Sequence, residues 1–323
     1  MPTQPIHLEN RHRLRITLHP LGASWLSCQI PLAGETREIL LGSADLAAML
    51  AGGSYLGASI GRYAGRIAHA CFGEHPLDAN QPPHILHGGR QGFSRRLWHT
   101  RETGAQHAIF TLESPHGDQG FPGNLHAEAH YHLDEHNRLT LTYRAHTDAP
   151  TPCNLTNHAY FNLNGGDGDN GLDQHLQIAA DHYQPVASDG IPSRPPQPVA
   201  GSGFDFRNPK AIARDYRHDP EQQPTGGYDH SYLLPHPGQP QLAARLQSAD
   251  RRITLELHSD QPALHLYSGQ YLAGTPKRHG GHYSANAGIA LESQYPPDSP
   301  SHGRAILHPG DTYTHTIIYH FIY

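Results

Sequence analysis

Apolar and polar residues alternate with a period of two along much of the chain. Leu14, Ile16 and Leu18 alternate with Arg15 and Thr17, Leu139, Leu141 and Tyr143 alternate with Thr140 and Thr142, and Ile253, Leu255 and Leu257 repeat the pattern. A repeat of two puts successive side chains on opposite faces, so these stretches predict half-buried β-strands. The segment from Thr312 to Tyr323 is rich in Thr, Tyr, Ile and Phe and predicts a long closing strand. One helix is expected, with Ser43 as N-cap, Ala44 to Leu50 as its body and Gly52 and Gly53 ending it. The Pro-rich stretch Pro185 to Pro209 reads as a long ordered loop, with Phe204 and Phe206 able to pin it to the body. Many short strands separated by Gly, Pro, Asn and Asp clusters predict an all-β fold, a sandwich or a barrel.

Composition narrows this without choosing a function. The chain of 323 residues carries 33 Gly and 28 Pro, about a fifth of the total, which stays below the range of low-complexity disorder. A net charge of -6 with 16% charged residues gives no basic field, so neither nucleic acid nor an acidic membrane is an expected partner. Neither a signal-peptide pattern near Met1 nor an apolar run of membrane length is found, so the expectation is a cytoplasmic protein. Cys28, Cys71 and Cys153 are widely spaced and fall in no C-x-x-C pair, so reduced thiols are expected. The 29 His outnumber the 23 Lys and Arg together, yet His130 with His132 and His279 with His282 lack a third ligand at zinc-site spacing. No metal and no other cofactor is expected.

Candidate chemistry appears in five places. If Asn154 to Leu163 is one strand, Asn154, Thr156, His158, Tyr160 and Asn162 share a face of neutral hydrogen-bonding groups around one imidazole. Such a face suits a neutral polyhydroxyl ligand, although a solvent-facing strand would alternate in the same way. Glu292 sits in the apolar run Gly288 to Gln294, with Ala290 and Gln294 on its side. A buried carboxylate there is costly unless paired or used; a solvated Glu at a strand end is the plainer reading. Asp229 and Ser231 alternate with Tyr228, His230 and Tyr232, and Asp229 equally fits a turn after Gly226 and Gly227. Arg62 and Arg66, four apart, would share a strand face, and either could simply pair with a carboxylate. His87 precedes Gly88 and Gly89, where the backbone can approach something closely.

Taken together these segments resemble the aldose 1-epimerase family, also called galactose mutarotases. The resemblance rests on GRYAGRI at 61–67, LHGG at 86–89, DQGFPGNL at 118–125, NLTNHAYFNLNG at 154–165, FDFRNP at 204–209, GYDHSYLL at 227–234, LESQYPPD at 291–298 and the terminal PGDTY. These blocks span nearly the whole chain in the family's order. The resemblance implies a large antiparallel β-sandwich in which residues 1–323 form a single domain. It implies that Glu292 is the general base and His158 the general acid at the anomeric carbon and ring oxygen of a free aldose such as galactose or glucose. Arg66, His87 and Asp229 would grip hydroxyls, with His87 also near the ring oxygen. Two positions depart from the pattern, Gly65 where many members carry Asn and His265 where many carry Gln. His265 is thus a substrate-binding candidate whose ability to donate is open, and the two departures bear on sugar preference more than on reaction type.

The implied reaction needs an acid and a base and nothing redox. A free Glu, with a pKa near 4.3, is ionised at neutral pH, and a free His, near 6.5, is partly protonated. The alternatives are an epimerase for hexose 6-phosphates, which would need clustered Arg or Lys, and a non-catalytic sugar-binding protein of the same fold. A monomer or weak homodimer is expected. Because no metal is implied, EDTA should leave any sugar-isomerising activity intact; loss of that activity on dialysis against chelator, with recovery on adding a divalent ion, would contradict this.

Overall fold

The computed structural model describes residues 4–45 and 52–323. The stretches that alternate are strands in it, with Arg15–His19, Arg138–Thr147, Thr254–Ser259 and the closing Tyr313–Ile322 all present. Two large antiparallel sheets dominate. One has nine strands, with Tyr313–Ile322 between Arg138–Thr147 and Thr254–Ser259; the other has six, with Ala263–Tyr267 and Asp229–Leu233 at its centre and Ile289–Gln294 beside Ala263–Tyr267. A four-stranded sheet from Ile6 to Glu38 covers one end. The proposed helix body lies mostly outside the described residues, and among those described the helical segments are short 3-10 turns.

The faces of the six-stranded sheet explain where a site can form. In Ile289–Gln294, Ile289 and Leu291 join the main apolar core. Ser293 shares their face and meets the nine-stranded sheet through His315 Nε2 at 2.9 Å. Glu292 and Gln294, on the opposite face by the two-residue period, turn away from that core. The strand Asp229–Leu233 behaves likewise, since Tyr228, His230 and Tyr232 are fully buried against Tyr183, Phe204 and Phe206. Phe204 stacks on Tyr183 with ring centroids 4.0 Å apart, so the Pro-rich stretch is pinned to the body as its aromatics predict. The main core thus sits on one face of this sheet; on the other, Ala290 joins a smaller apolar cluster with Leu41, Tyr160 and Tyr283, and Glu292 and Gln294 are the polar groups from Ile289–Gln294.

Two strand assignments were too simple. Ser59 to Ile67 is not one strand but two short ones, Ser59–Ile60 and Arg66–Ile67, so Arg62 and Arg66 do not share a face. Asn154 to Leu163 is likewise broken, into Thr156–Asn157 paired with Ser59–Ile60 and Tyr160–Phe161 paired with Ile289 and Ala290. Both of its faces are buried, so alternation there does not separate water from core. Cys28, Cys71 and Cys153 are free thiols, and burial raises the pKa of Cys28 and Cys153.

Two core histidines give the fold an acid limit. Burial holds both His230 and His315 down to about 4. In the unfolded chain each would titrate near 6.5, so between these values the unfolded state binds more protons than the folded one. Their contribution to stability is complete above about pH 6.5 and is lost as pH falls toward 4. The urea midpoint should therefore drop between pH 7 and pH 4.5, and a midpoint constant across that range would contradict the buried neutral state of both rings.

Candidate active site

A cavity of about 310 Å³ lies on the outer face of the six-stranded sheet, near the lower end of the range for small-molecule sites. Its wall is built from the sheet itself, by Glu292 and Gln294, by His265 and Tyr267 on the neighbouring strand, and by Asp229 on the next. Tyr55, Gly65, His87 and Tyr271 from loops and Arg66 from the short strand Arg66–Ile67 close over it. His158 and Tyr160 complete the wall beside Glu292. All six residues singled out from the sequence, Glu292, His158, Arg66, His87, Asp229 and His265, therefore meet in one cavity.

At its floor His158 Nε2 lies 3.5 Å from Glu292 Oε1. Both residues are nearly inaccessible, at 4% and 2% exposed. His158 is fixed because its N–H donates to Ala58 O at 2.9 Å and its carbonyl accepts from Gly57 N–H at 3.0 Å. Its ring stands among Tyr55, His87 and Tyr160, with centroids 5.8, 5.4 and 4.9 Å away. Three polar atoms of this wall, Glu292 Oε2, His158 Nδ1 and Gln294 Oε1, are buried without a hydrogen-bond partner. Buried polar atoms left unpaired are costly, and a set of them on one cavity wall is a template for a hydroxylated ligand.

His87 is held by its loop. The residue has a left-handed φ of 51°, and a Cβ on Gly88 would stand 1.9 Å from Gly61 O, so the close approach read from the glycine pair is real. Its Nδ1 accepts from Gly65 N–H at 3.2 Å, which puts the ring proton on Nε2. Burial first, and the neighbouring His158 and Arg66 next, push its pKa well below the ordinary value, so it is a neutral donor. Ligand atoms of His87, His158 and Glu292 lie within 4.8 Å of one another, a separation that one ion could bridge. The Gly65 bond argues against that use, because His87 would have to give up its tautomer to offer Nε2 as a ligand.

Arg66 Nε donates to Gln81 Oε1 at 2.7 Å, leaving the rest of the guanidinium at the cavity edge. Asp229 and His265 form a pair, with Nε2 of the ring 2.7 Å from Asp229 Oδ1. The other ring nitrogen, Nδ1, lies 3.0 Å from Ser231 Oγ. Burial is the largest influence on both and opposes their charges, but their mutual hydrogen bond and attraction prevail. Asp229 is held below the usual carboxylate range and His265 above the usual imidazole range.

The sequence pattern misjudged some neighbours. Asn154 and Asn162 do not face a ligand: Asn154 Nδ2 donates to Ala64 O at 3.0 Å and Asn162 Nδ2 to Ala287 O at 2.8 Å. Tyr267 was missed, although it stands two residues after His265 and so on the same face, a signal the period-two pattern contains. Tyr55 and Gln81 come from irregular loops and leave no such trace.

A closed sheet face with a carboxylate and an imidazole in contact, neutral donors around them and room for one small polar molecule defines an acid–base enzyme of small hydroxylated substrates. The aldose 1-epimerase family profile matches residues 4–320, and the chain belongs to that family, whose enzymes are isomerases. It is 43% identical to an aldose 1-epimerase from Escherichia coli K12, over 99% of this chain and 96% of that one. It is 37% identical to galactose mutarotase from Homo sapiens, over 89% and 85% of the two chains. Solved structures agree: an aldose epimerase homologue from C. elegans superposes with TM-score 0.91 at 28% identity, covering 99% of both chains. Galactose 1-epimerase from Lactobacillus acidophilus superposes with TM-score 0.86 at 30% identity, covering 99% and 94%.

Arg62 does not belong to the site. It is buried, with Nε donating to Ser114 Oγ at 2.9 Å and the two terminal nitrogens donating to Pro122 O at 2.8 Å, Ser114 O at 2.7 Å and Pro115 O at 2.9 Å. Removing it strands those carbonyls. Arg62→Met should lower stability by about 2–4 kcal/mol in urea titrations while the folded fraction keeps its sugar affinity; a site role would instead show as lost affinity at unchanged stability.

Proposed function

We propose that the protein interconverts the α and β anomers of a free aldohexose such as galactose or glucose, with Glu292 as general base and His158 as general acid. The observation that carries this is the 3.5 Å contact between Glu292 and His158 on a wall where Glu292 Oε2, His158 Nδ1 and Gln294 Oε1 are buried without a protein partner. Anomer exchange requires a proton to leave the hydroxyl on C1 and another to reach the ring oxygen. Glu292 takes the first, His158 delivers the second, and the bond between C1 and the ring oxygen breaks to give the open aldehyde. Rotation about the bond from C1 to C2 presents the other carbonyl face, and closure runs the same transfers backwards. His87 Nε2–H, Arg66 and Asp229 hold the hydroxyls and the ring while C1 turns.

Substrate class follows from charge. Arg66 is the one Arg or Lys among the described residues lining the cavity, too little for a phosphate, which favours a free sugar over a hexose 6-phosphate. A binding protein without catalysis would have no use for a buried acid–base pair, whose desolvation is costly. We read residues 1–323 as one domain, since one apolar core joins both large sheets. No helix among the described residues is long and apolar enough to cross a membrane, and we place the protein in the cytoplasm as a monomer or weak homodimer.

Polarimetry of freshly dissolved α-glucose and α-galactose tests the reaction: catalytic amounts of protein should hasten mutarotation above the buffer rate for at least one of them. Each positioned acid or base contributes about 10²- to 10⁴-fold, so Glu292→Gln should lose that much in kcat while still binding sugar. A wild-type rate equal to buffer for both sugars, or a near-normal rate in Glu292→Gln, would contradict the assignment.

A further inference from the structure

His265 lines the cavity two residues from Tyr267 and directly opposite Glu292 in the sheet. Its position suggests a sugar contact, but its hydrogen bonds do not. An imidazole has two nitrogens and both are engaged within the protein, Nε2 with Asp229 Oδ1 at 2.7 Å and Nδ1 with Ser231 Oγ at 3.0 Å. Nothing remains with which to bond a hydroxyl. Asp229, by contrast, meets His265 through one carboxylate oxygen, Oδ1, and lines the cavity, leaving Oδ2 for a ligand. Asp229 pairs in register with Tyr267 and Ser231 with His265, so the ring reaches diagonally to Asp229 and straight across to Ser231.

We propose that His265 is a positioning residue: it fixes the Asp229 carboxylate so that the free oxygen receives a sugar hydroxyl, and it does not bond the sugar itself. This rests on the mutarotase reading of the cavity and names how one hydroxyl is held there. Ser231 fixes the far side of the ring, so the imidazole cannot rotate without losing a bond at each end. The charged and titratable groups around His265 are Asp229 and His230 from its neighbouring strand, Glu292 from the other, Arg66 from the short strand Arg66–Ile67, and His87 from its loop. Burial opposes its protonated form most, with Arg66 adding to that, and the two carboxylates outweigh both. In that form the bond to Asp229 is charge-assisted, and such bonds are about twice as strong as neutral ones. As pH rises past the ring's titration, which lies above the ordinary imidazole value, the same bond survives as a neutral one and holds the carboxylate less tightly.

Three variants and a pH series test this by calorimetric sugar binding alongside mutarotation rates. Gln places an amide nitrogen as many bonds from Cβ as the imidazole Nε2 and can accept from Ser231, whereas Leu can do neither. Wild type should bind galactose or glucose several-fold more weakly on the alkaline side of the His265 titration. His265→Leu should weaken binding at least tenfold at pH 7 with kcat within about threefold. His265→Gln should recover affinity to within about threefold of wild type and lose the alkaline weakening. Ser231→Ala, which frees one end of the ring, should fall between wild type and His265→Leu and serves if His265→Leu does not fold. Unchanged affinity in His265→Leu or Ser231→Ala, an alkaline limb that persists in His265→Gln, or a fall in kcat at unchanged affinity would each overturn the proposal. Failure of wild type to beat the buffer rate would instead strike at the mutarotase reading, and the binding series would still decide the role of His265.

Discussion

Glu292 and His158 must stand within reach of each other and of a substrate while both are out of water, and the rest of the structure serves that requirement. Glu292 Oε2 and His158 Nδ1 are each buried without a hydrogen-bond partner. A pair so exposed to desolvation keeps its geometry only if the chain on both sides is fixed. The fixing comes from behind the wall. His315 donates from Nδ1 to Leu155 O at 2.8 Å and meets Ser293 Oγ through Nε2 at 2.9 Å, so one buried ring ties the segment before His158 to the strand of Glu292. Asn154 does the same at the next level, accepting from Tyr295 N–H at 3.0 Å and donating to Ala64 O at 3.0 Å. The core offsets what the site costs, because the aromatic and aliphatic faces of the same strands are fully buried.

Division of labour around the sugar follows from which nitrogens and oxygens are left free. His87 is locked neutral by the Gly65 N–H and points a donor inward; Asp229 is kept ionised by His265 and points an acceptor inward. Donor and acceptor come from a loop and from a sheet strand, so they grip different sides of the same small cavity. Gly65 itself has a left-handed φ of 82° and lines the cavity, and a Cβ there would stand 3.5 Å from Gln294 Nε2 and 3.8 Å from Pro297. That places both departures from the family pattern, Gly65 and His265, on the wall of the substrate space and not at the reacting pair.

Much of this was legible in the sequence because a two-residue period is a local property. It predicted Arg138–Thr147 and Thr254–Ser259 of the nine-stranded sheet, to which residue types added the closing Tyr313–Ile322, and it put Glu292 on one strand face with Ala290 and Gln294. The resemblance to a known family then selected six residues that do meet in space. What failed was the assumption that alternation means water on one side. Asn154 and Asn162 alternate with apolar residues because they satisfy backbone carbonyls of neighbouring loops, and Arg62 is buried for the same reason. Those partners are 90 or more residues distant for Asn154, and nothing in a local window reveals them. Tyr55 and Gln81 reach the cavity from irregular turns, where no period exists to read.

The central claim is that Glu292 and His158 act as one unit, a proton leaving at one while another arrives at the other. A double-mutant cycle in kcat tests it directly, comparing Glu292→Gln, His158→Gln and the double variant by exchange NMR between the two anomers. Groups that act together are strongly non-additive, so the double variant should be about as slow as either single one. Losses that multiply, each factor undiminished by the other, would mean that the two residues work independently and that the coupled transfer is wrong.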